Sequence, residues 1–166
     1  MNSTLSPRAL EAQLQLAVGR HQGAAHDESN YKILDEEFKL ILDRYPHLFA
    51  KPNIGLGCGA GWWPALEDAF IEITGILNTY VGLSFNTAQI KEKFGGLRFY
   101  YDLHRKKGCT LTDELEKDAR EAIDAAVQKA ENMAGVACEV CGQRGVRGGK
   151  HWLKTLCETH MSMHDR

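Results

Sequence analysis

Apolar residues recur along this chain with two different periods. Tyr31, Leu34, Phe38, Ile41 and Tyr45 step by three and four, so they share one face of a helix. That helix is expected to start near Ser29 and to stop at Pro46. Trp62-Trp63-Pro64 opens a clearer one, with Leu66, Phe70, Ile73, Leu77 and Tyr80 as its buried stripe. Pro64 suits a first turn, and Glu67 and Asp68 sit near the positive end of the dipole. Thr110 or Thr112 caps a third helix running to about Met133, with Leu115, Ala119, Ala122, Ile123, Ala126, Val127 and Ala130 on its stripe. Its many alanines imply close approach to a neighbour, and Gly135 is placed to end it. Upstream, Ser6-Pro7 starts a further stripe of Leu10, Leu14, Ala17 and Val18.

Between the second and third helices the period drops to two. Residues 86–103 read as a β-hairpin turning at Gly95-Gly96. That turn pairs Phe94 with Leu97, Ile90 with Tyr101 and Ala88 with Leu103 on an apolar face, broken only by Glu92 opposite Phe99. The other face pairs Lys93 with Arg98, Lys91 with Tyr100 and Gln89 with Asp102. A lone hairpin is marginal in water, so its apolar face is expected against Phe70, Ile73 and Leu77. The fold class is therefore α+β, with helices packed on a small antiparallel sheet. The domains are an N-terminal helical segment over 1–28, the α+β core over 29–134 and a C-terminal module over 135–166.

That module carries the most specific chemistry. Cys138 and Cys141 form a C-x2-C pair, fifteen residues follow, and Cys157 and His160 form a C-x2-H pair. Two close pairs of soft ligands at this separation suit one tetrahedral Zn²⁺. Gly142 allows a knuckle turn, Gln143 to Leu156 makes a short hairpin with Gly148-Gly149 at its tip, and Cys157 and His160 share one face of a final short helix. This order is treble-clef-like. His164, one turn further on, is the alternative fourth ligand, and His151 is expected to face outward.

Composition changes this picture little. Among 166 residues, 43% are hydrophobic and 25% charged, ordinary for a globular chain long enough to bury a core. The net charge of −2 gives no global attraction to nucleic acid or to anionic membrane. It hides an asymmetry: residues 135–166 hold five cations against three acids, a net +2, which leaves −4 on the rest. Five cysteines, an odd number, with no apolar segment at the N-terminus, imply a reducing cytoplasm and no disulfide framework. No apolar run approaches a membrane span. Gly55-Leu-Gly57-Cys-Gly59-Ala-Gly61 loosely matches a dinucleotide fingerprint, but Lys51-Pro-Asn-Ile is a poor strand and no alternation of strands and helices follows. A flexible loop is expected there, with Cys58 as its exposed and most reactive thiol.

Gly61-Trp62-Trp63-Pro64, Ile90-Lys-Glu-Lys-Phe-Gly-Gly-Leu-Arg-Phe-Tyr100, and Cys138/Cys141 with Trp152-x-x-Thr155-Leu156-Cys157-x-x-His160 together resemble a group of small, uncharacterised bacterial and bacteriophage proteins. The resemblance spans about residues 60–160. It implies a phage or prophage setting and a zinc site, and no reaction.

Three functions compete on these residues. The favoured one is a non-enzymatic, zinc-stabilised interaction protein, because four protein ligands leave the metal no open position. Its partner is a protein or a nucleic acid, met by Arg144, Arg147, Lys150 and Lys154 of the module together with Lys91, Lys93 and Arg98 of the hairpin. With so modest a charge, nucleic-acid binding is expected to be weak and strongly salt-dependent. The second is a phage-encoded inhibitor of a host enzyme or defence complex, a role that a small, slightly acidic chain without catalytic motifs suits in the phage setting the resemblance implies. The third is a treble-clef nuclease, which would need His151 or His164 as base and has no carboxylate spaced to help.

Overall fold

The computed structural model describes residues 35–50 and 56–165. The helix expected from Ser6-Pro7, the start near Ser29 and the segment 51–55 lie outside them. Four α-helices are present among the described residues: α1 (Asp35–Arg44), α2 (Trp63–Thr79), α3 (Asp113–Ala134) and α4 (Glu158–His164). Strands β1 (Leu56–Gly57), β2 (Leu83–Lys93) and β3 (Gly96–Arg105) form one sheet in that order, and β4 (Val146–Gly148) pairs with β5 (Lys154–Leu156) in a second. The α+β class is as expected. The main sheet is mixed rather than antiparallel, because the two residues of β1 lie parallel to β2, Leu56 beside Ile90 and Gly57 beside Lys91.

The helices follow the apolar stripes. After α1, Pro46 opens a single 3-10 turn, and Ile41 and Tyr45 are buried. In α2, Leu66, Phe70 and Ile73 are fully buried, with Leu77 and the capping residue Tyr80 at the margin. The Thr112 hydroxyl caps α3 by accepting the Leu115 N–H at 3.3 Å. Leu115, assigned to the buried stripe, is 41% exposed, because before Ala119 the helix meets the sheet through ion pairs, Arg105 with Asp113 and Glu116, and its buried residues begin only at Ala119. Phe70 is the centre of the core. Its ring lies 5.3 Å from Tyr45, 5.5 Å from Phe49, 6.1 Å from Trp63 and 5.8 Å from Phe99 of the sheet. The hairpin's apolar face thus meets α2 as expected. Helix α3 lies beside β3: Glu131 accepts the Phe99 N–H, Arg120 donates to the Leu103 carbonyl, and Asp124 accepts the Tyr101 hydroxyl at 2.6 Å.

The hairpin register differs from the expected one by two residues. Phe94 and Gly95 form the turn, at φ 53° and 73°, so Lys93 opposes Gly96, Glu92 opposes Leu97, Lys91 opposes Arg98 and Ile90 opposes Phe99. An irregularity at Ala88 then lets Thr87 face Tyr101 and Phe85 face Leu103. A shift by two leaves each residue on its face, so Ile90, Leu97, Phe99 and Leu103 are buried as expected, whereas Phe94 is 56% exposed. Two groups outside the turn, one close in the chain and one distant, explain the choice. The Glu92 carboxylate accepts the Gly95 N–H at 2.7 Å, and the Thr155 hydroxyl donates to the Gly95 carbonyl at 2.5 Å.

Candidate metal centre

The C-terminal module starts where α3 ends. The Cys138 N–H donates to the Gln143 carbonyl at 2.6 Å and the Gly142 N–H to the Cys138 carbonyl at 2.8 Å, closing a tight knuckle. Gly142 takes φ 74° there, a conformation that suits glycine. The β4–β5 hairpin follows, with Val146 opposite Leu156 and Gly148 opposite Lys154. Cys157 is the N-cap of α4, and His160 lies one turn along it.

These elements bring Cys138, Cys141, Cys157 and His160 together, with all four donor atoms within 4.8 Å of one another. The Cys141 and Cys157 sulfurs are 3.8 Å apart, and His160 Nδ1 is 3.4 Å from Cys138 Sγ and 3.1 Å from Cys157 Sγ. Such a group can hold a metal ion. Cys138 and His160 are buried and the other two half-buried. Burial raises the Cys138 thiol and pushes Cys141 up to about 12, so both would release their protons to solvent readily only when a metal cation takes the proton's place on sulfur. Burial also works against the Cys157 thiolate, but the His160 and Thr159 amides at the start of α4, with the neighbouring cysteines, outweigh it and lower that thiol. His164 lies outside the group, and its Nε2 donates to the Trp152 carbonyl at 2.9 Å. His151 is exposed, as expected.

The centre is joined to the core on two sides. On the first, residues 58–61 of the glycine-rich stretch, expected to be a flexible loop, are buried against the module. The Gly61 N–H donates to the Glu139 carbonyl at 2.9 Å, the Gly59 N–H to Glu139 Oε1 at 3.1 Å, and Trp62 Nε1 to the Ala137 carbonyl at 2.9 Å. A Cβ on Gly61 would sit 2.2 Å from the Cys138 carbonyl oxygen, so only glycine admits this approach. Cys58, expected to be exposed and reactive, is 1% exposed, and burial, then the Glu139 carboxylate, push its thiol well up.

On the second side, Lys154 Nζ lies 3.0 Å from Glu92 Oε2 and 3.1 Å from Glu139 Oε2. Its side chain is 7% exposed. Lys154 therefore does not belong to the expected partner surface: its single charge is shared between two carboxylates at the joint of hairpin and module, the buried Glu139 and the half-buried Glu92. Burial raises the Glu139 carboxyl, against the pull of Lys154 and the Gly59 amide.

The other cations of that surface fall in two places. Arg144, Arg147 and Lys150 are exposed on the module, where the Lys150 N–H also donates to Asp165 Oδ1. Lys91, Lys93 and Arg98 lie on the outward face of β2–β3. Arg147 links the groups, since its Cγ lies 3.1 Å from where a Gly95 Cβ would be. Sequence reasoning missed the joining residues Gly59, Gly61, Glu92, Glu139 and Thr155. One signal existed: Glu92 was the lone acid on an otherwise apolar strand face, and a buried acid requires a cation.

No family model matches the chain, and neither a curated protein nor a solved structure is found to match it.

Proposed function

We propose that Cys138, Cys141, Cys157 and His160 hold one structural Zn²⁺ and that the chain is a zinc-stabilised, non-enzymatic interaction protein. The observation that carries the reading is the donor set itself. Three thiolates and an imidazole complete a tetrahedral shell. With Zn–S near 2.3 Å and Zn–N near 2.0 Å, tetrahedral edges are about 3.8 Å between sulfurs and about 3.6 Å from sulfur to nitrogen. The separations of 3.8 and 3.4 Å lie close to those edges, and the Cys157–His160 separation of 3.1 Å is shorter than its edge by about 0.5 Å. A filled shell leaves no position for water or substrate, so the ion's role is to hold shape. Knuckle, hairpin and ligand-bearing helix support the treble-clef-like description, and the resemblance to bacterial and bacteriophage proteins supports a cytoplasmic setting in a bacterium or an infected host. Among the described residues no helix is long and apolar enough to cross a membrane.

Metal analysis of the purified chain is expected to give one zinc per molecule, with His160→Ala losing it and His164→Ala keeping it. A pull-down from the natural host, with protein and nucleic acid both identified in the bound fraction, is expected to retain a partner only with the zinc-loaded chain. A metal-free chain with unchanged fold would end the zinc reading. A zinc-loaded chain that retains neither protein nor nucleic acid would end the interaction reading.

A further inference from the structure

The hairpin tip carries two features that folding alone does not account for. Phe94 occupies φ 53°, a left-handed conformation that costs a residue with a bulky side chain on the order of 1 kcal/mol. Its ring is nevertheless 56% exposed, so little apolar burial compensates. Asparagine or glycine would make this turn more easily. Six residues on, Tyr100 shows a second exposed ring, 45% accessible on the outward face of β3.

Cations accompany both rings. Lys93 Nζ sits 5.4 Å from the Phe94 centroid and Lys91 Nζ 5.7 Å from that of Tyr100. Arg98 lies opposite Lys91 in the register, and Arg147 reaches the turn from the module. Asp102 is the acid on this face of β3, one outward position beyond Tyr100 and away from the tip. A chain of net charge −2 thus gathers four cations around two exposed rings. The backbone beneath is held from the metal side by Thr155 and by the Lys154–Glu92 pair.

We propose that the outward face and tip of β2–β3 bind single-stranded nucleic acid, with bases stacked on Phe94 and Tyr100 and phosphates met by Lys91, Lys93, Arg98 and Arg147. This deepens the interaction reading and rests on it. Aromatic faces stack any base, and interleaved cations follow the backbone. A duplex keeps its bases stacked on one another and offers the rings nothing. An acidic protein segment would use the cations but would leave the exposed, strained ring of Phe94 without a purpose.

The test uses the whole zinc-loaded chain and a fluorescein-labelled oligothymidylate of about 12 nucleotides, read by anisotropy against a duplex of the same length. Single strand is expected to bind at least tenfold more tightly than duplex. Tyr100→Ala and Phe94→Asn are each expected to weaken binding by roughly five- to a hundredfold. Phe94→Asn is the decisive variant, because it relieves the turn and should hold or raise Tm while binding falls. Lys93→Gln and Arg147→Gln should each lower the slope of log K against log salt by about 0.7. Equal affinity for duplex, or full binding by Phe94→Asn and Tyr100→Ala, would overturn the proposal. So would absence of oligonucleotide binding alongside Phe94-dependent capture of a host protein, though that result would leave the interaction reading intact. Retention of neither class would end both.

Discussion

Around Phe70 four aromatic rings, from α2, the residues flanking the 3-10 turn and β3, pack against its ring, and many further apolar side chains extend that core. Around Cys138 the buried apolar side chains are Val140 and Leu156, with Met161 at the edge. The first region encloses enough apolar surface to be stable through burial. The second does not, and what joins it to its neighbour is polar, which is why the proposed metal matters to its order. Because those joints are backbone amides and a buried Glu–Lys–Glu group, the module is docked rather than tethered. Differences in composition between two regions therefore do not make them independent.

Losing the metal tests this contrast most severely. Structural zinc contributes apparent binding energies of about 10–16 kcal/mol, and that energy is folding energy. Cys141→Ser should therefore leave residues 138–164 open to protease while most helical circular dichroism survives. Complete loss of the helical signal would show that core and module melt as one. Next in size is Lys154→Met, which leaves Glu92 and Glu139 buried without a cation and should cost about 3–5 kcal/mol in denaturant unfolding. Adding Glu92→Gln and Glu139→Gln to it should restore part of that, since the penalty is uncompensated charge and not lost packing.

A pair of glycines then sharpens the comparison with one chemical change of opposite sign. Gly61→Ala forces a methyl onto the Cys138 carbonyl and should destabilise by about 1–3 kcal/mol, with faster zinc loss to a chelator. Gly75→Ala, inside α2 where a Cβ meets nothing within 4 Å, should stabilise by about 0.5–1 kcal/mol and leave zinc retention unchanged. Smallest is Thr112→Ala, which removes the α3 cap. It should lower stability by about 1 kcal/mol with metal content unaffected, because the cap touches only the core.

The features legible in the sequence were those written in local spacing. C-x2-C and C-x2-H name the donors because ligands three apart on a turn or a helix must face one way. Phe70 and Ile73 declared their burial by helical period. What stayed hidden was decided between distant parts of the chain. Gly95-Gly96 is the better local turn, yet Thr155, sixty residues on, hydrogen-bonds the Phe94-Gly95 alternative. The glycines at 59 and 61 looked like slack, because their reason for being glycine is a carbonyl near residue 139. Lys154 reads as one more surface cation until both its carboxylates are placed. Strand β1, two residues long, carries no period at all.

One consequence of α3 lying beside β3 concerns what the sheet refuses. An outer strand ordinarily offers a row of unused amides and carbonyls to any extended chain, the route by which sheets recruit copies of themselves and grow into aggregates. Here the Phe99 amide is taken by Glu131 and the Leu103 carbonyl by Arg120. The opposite margin, β1, is two residues long and too short to template a strand. At the β3 edge the protein should therefore resist edge-to-edge pairing for as long as α3 remains folded.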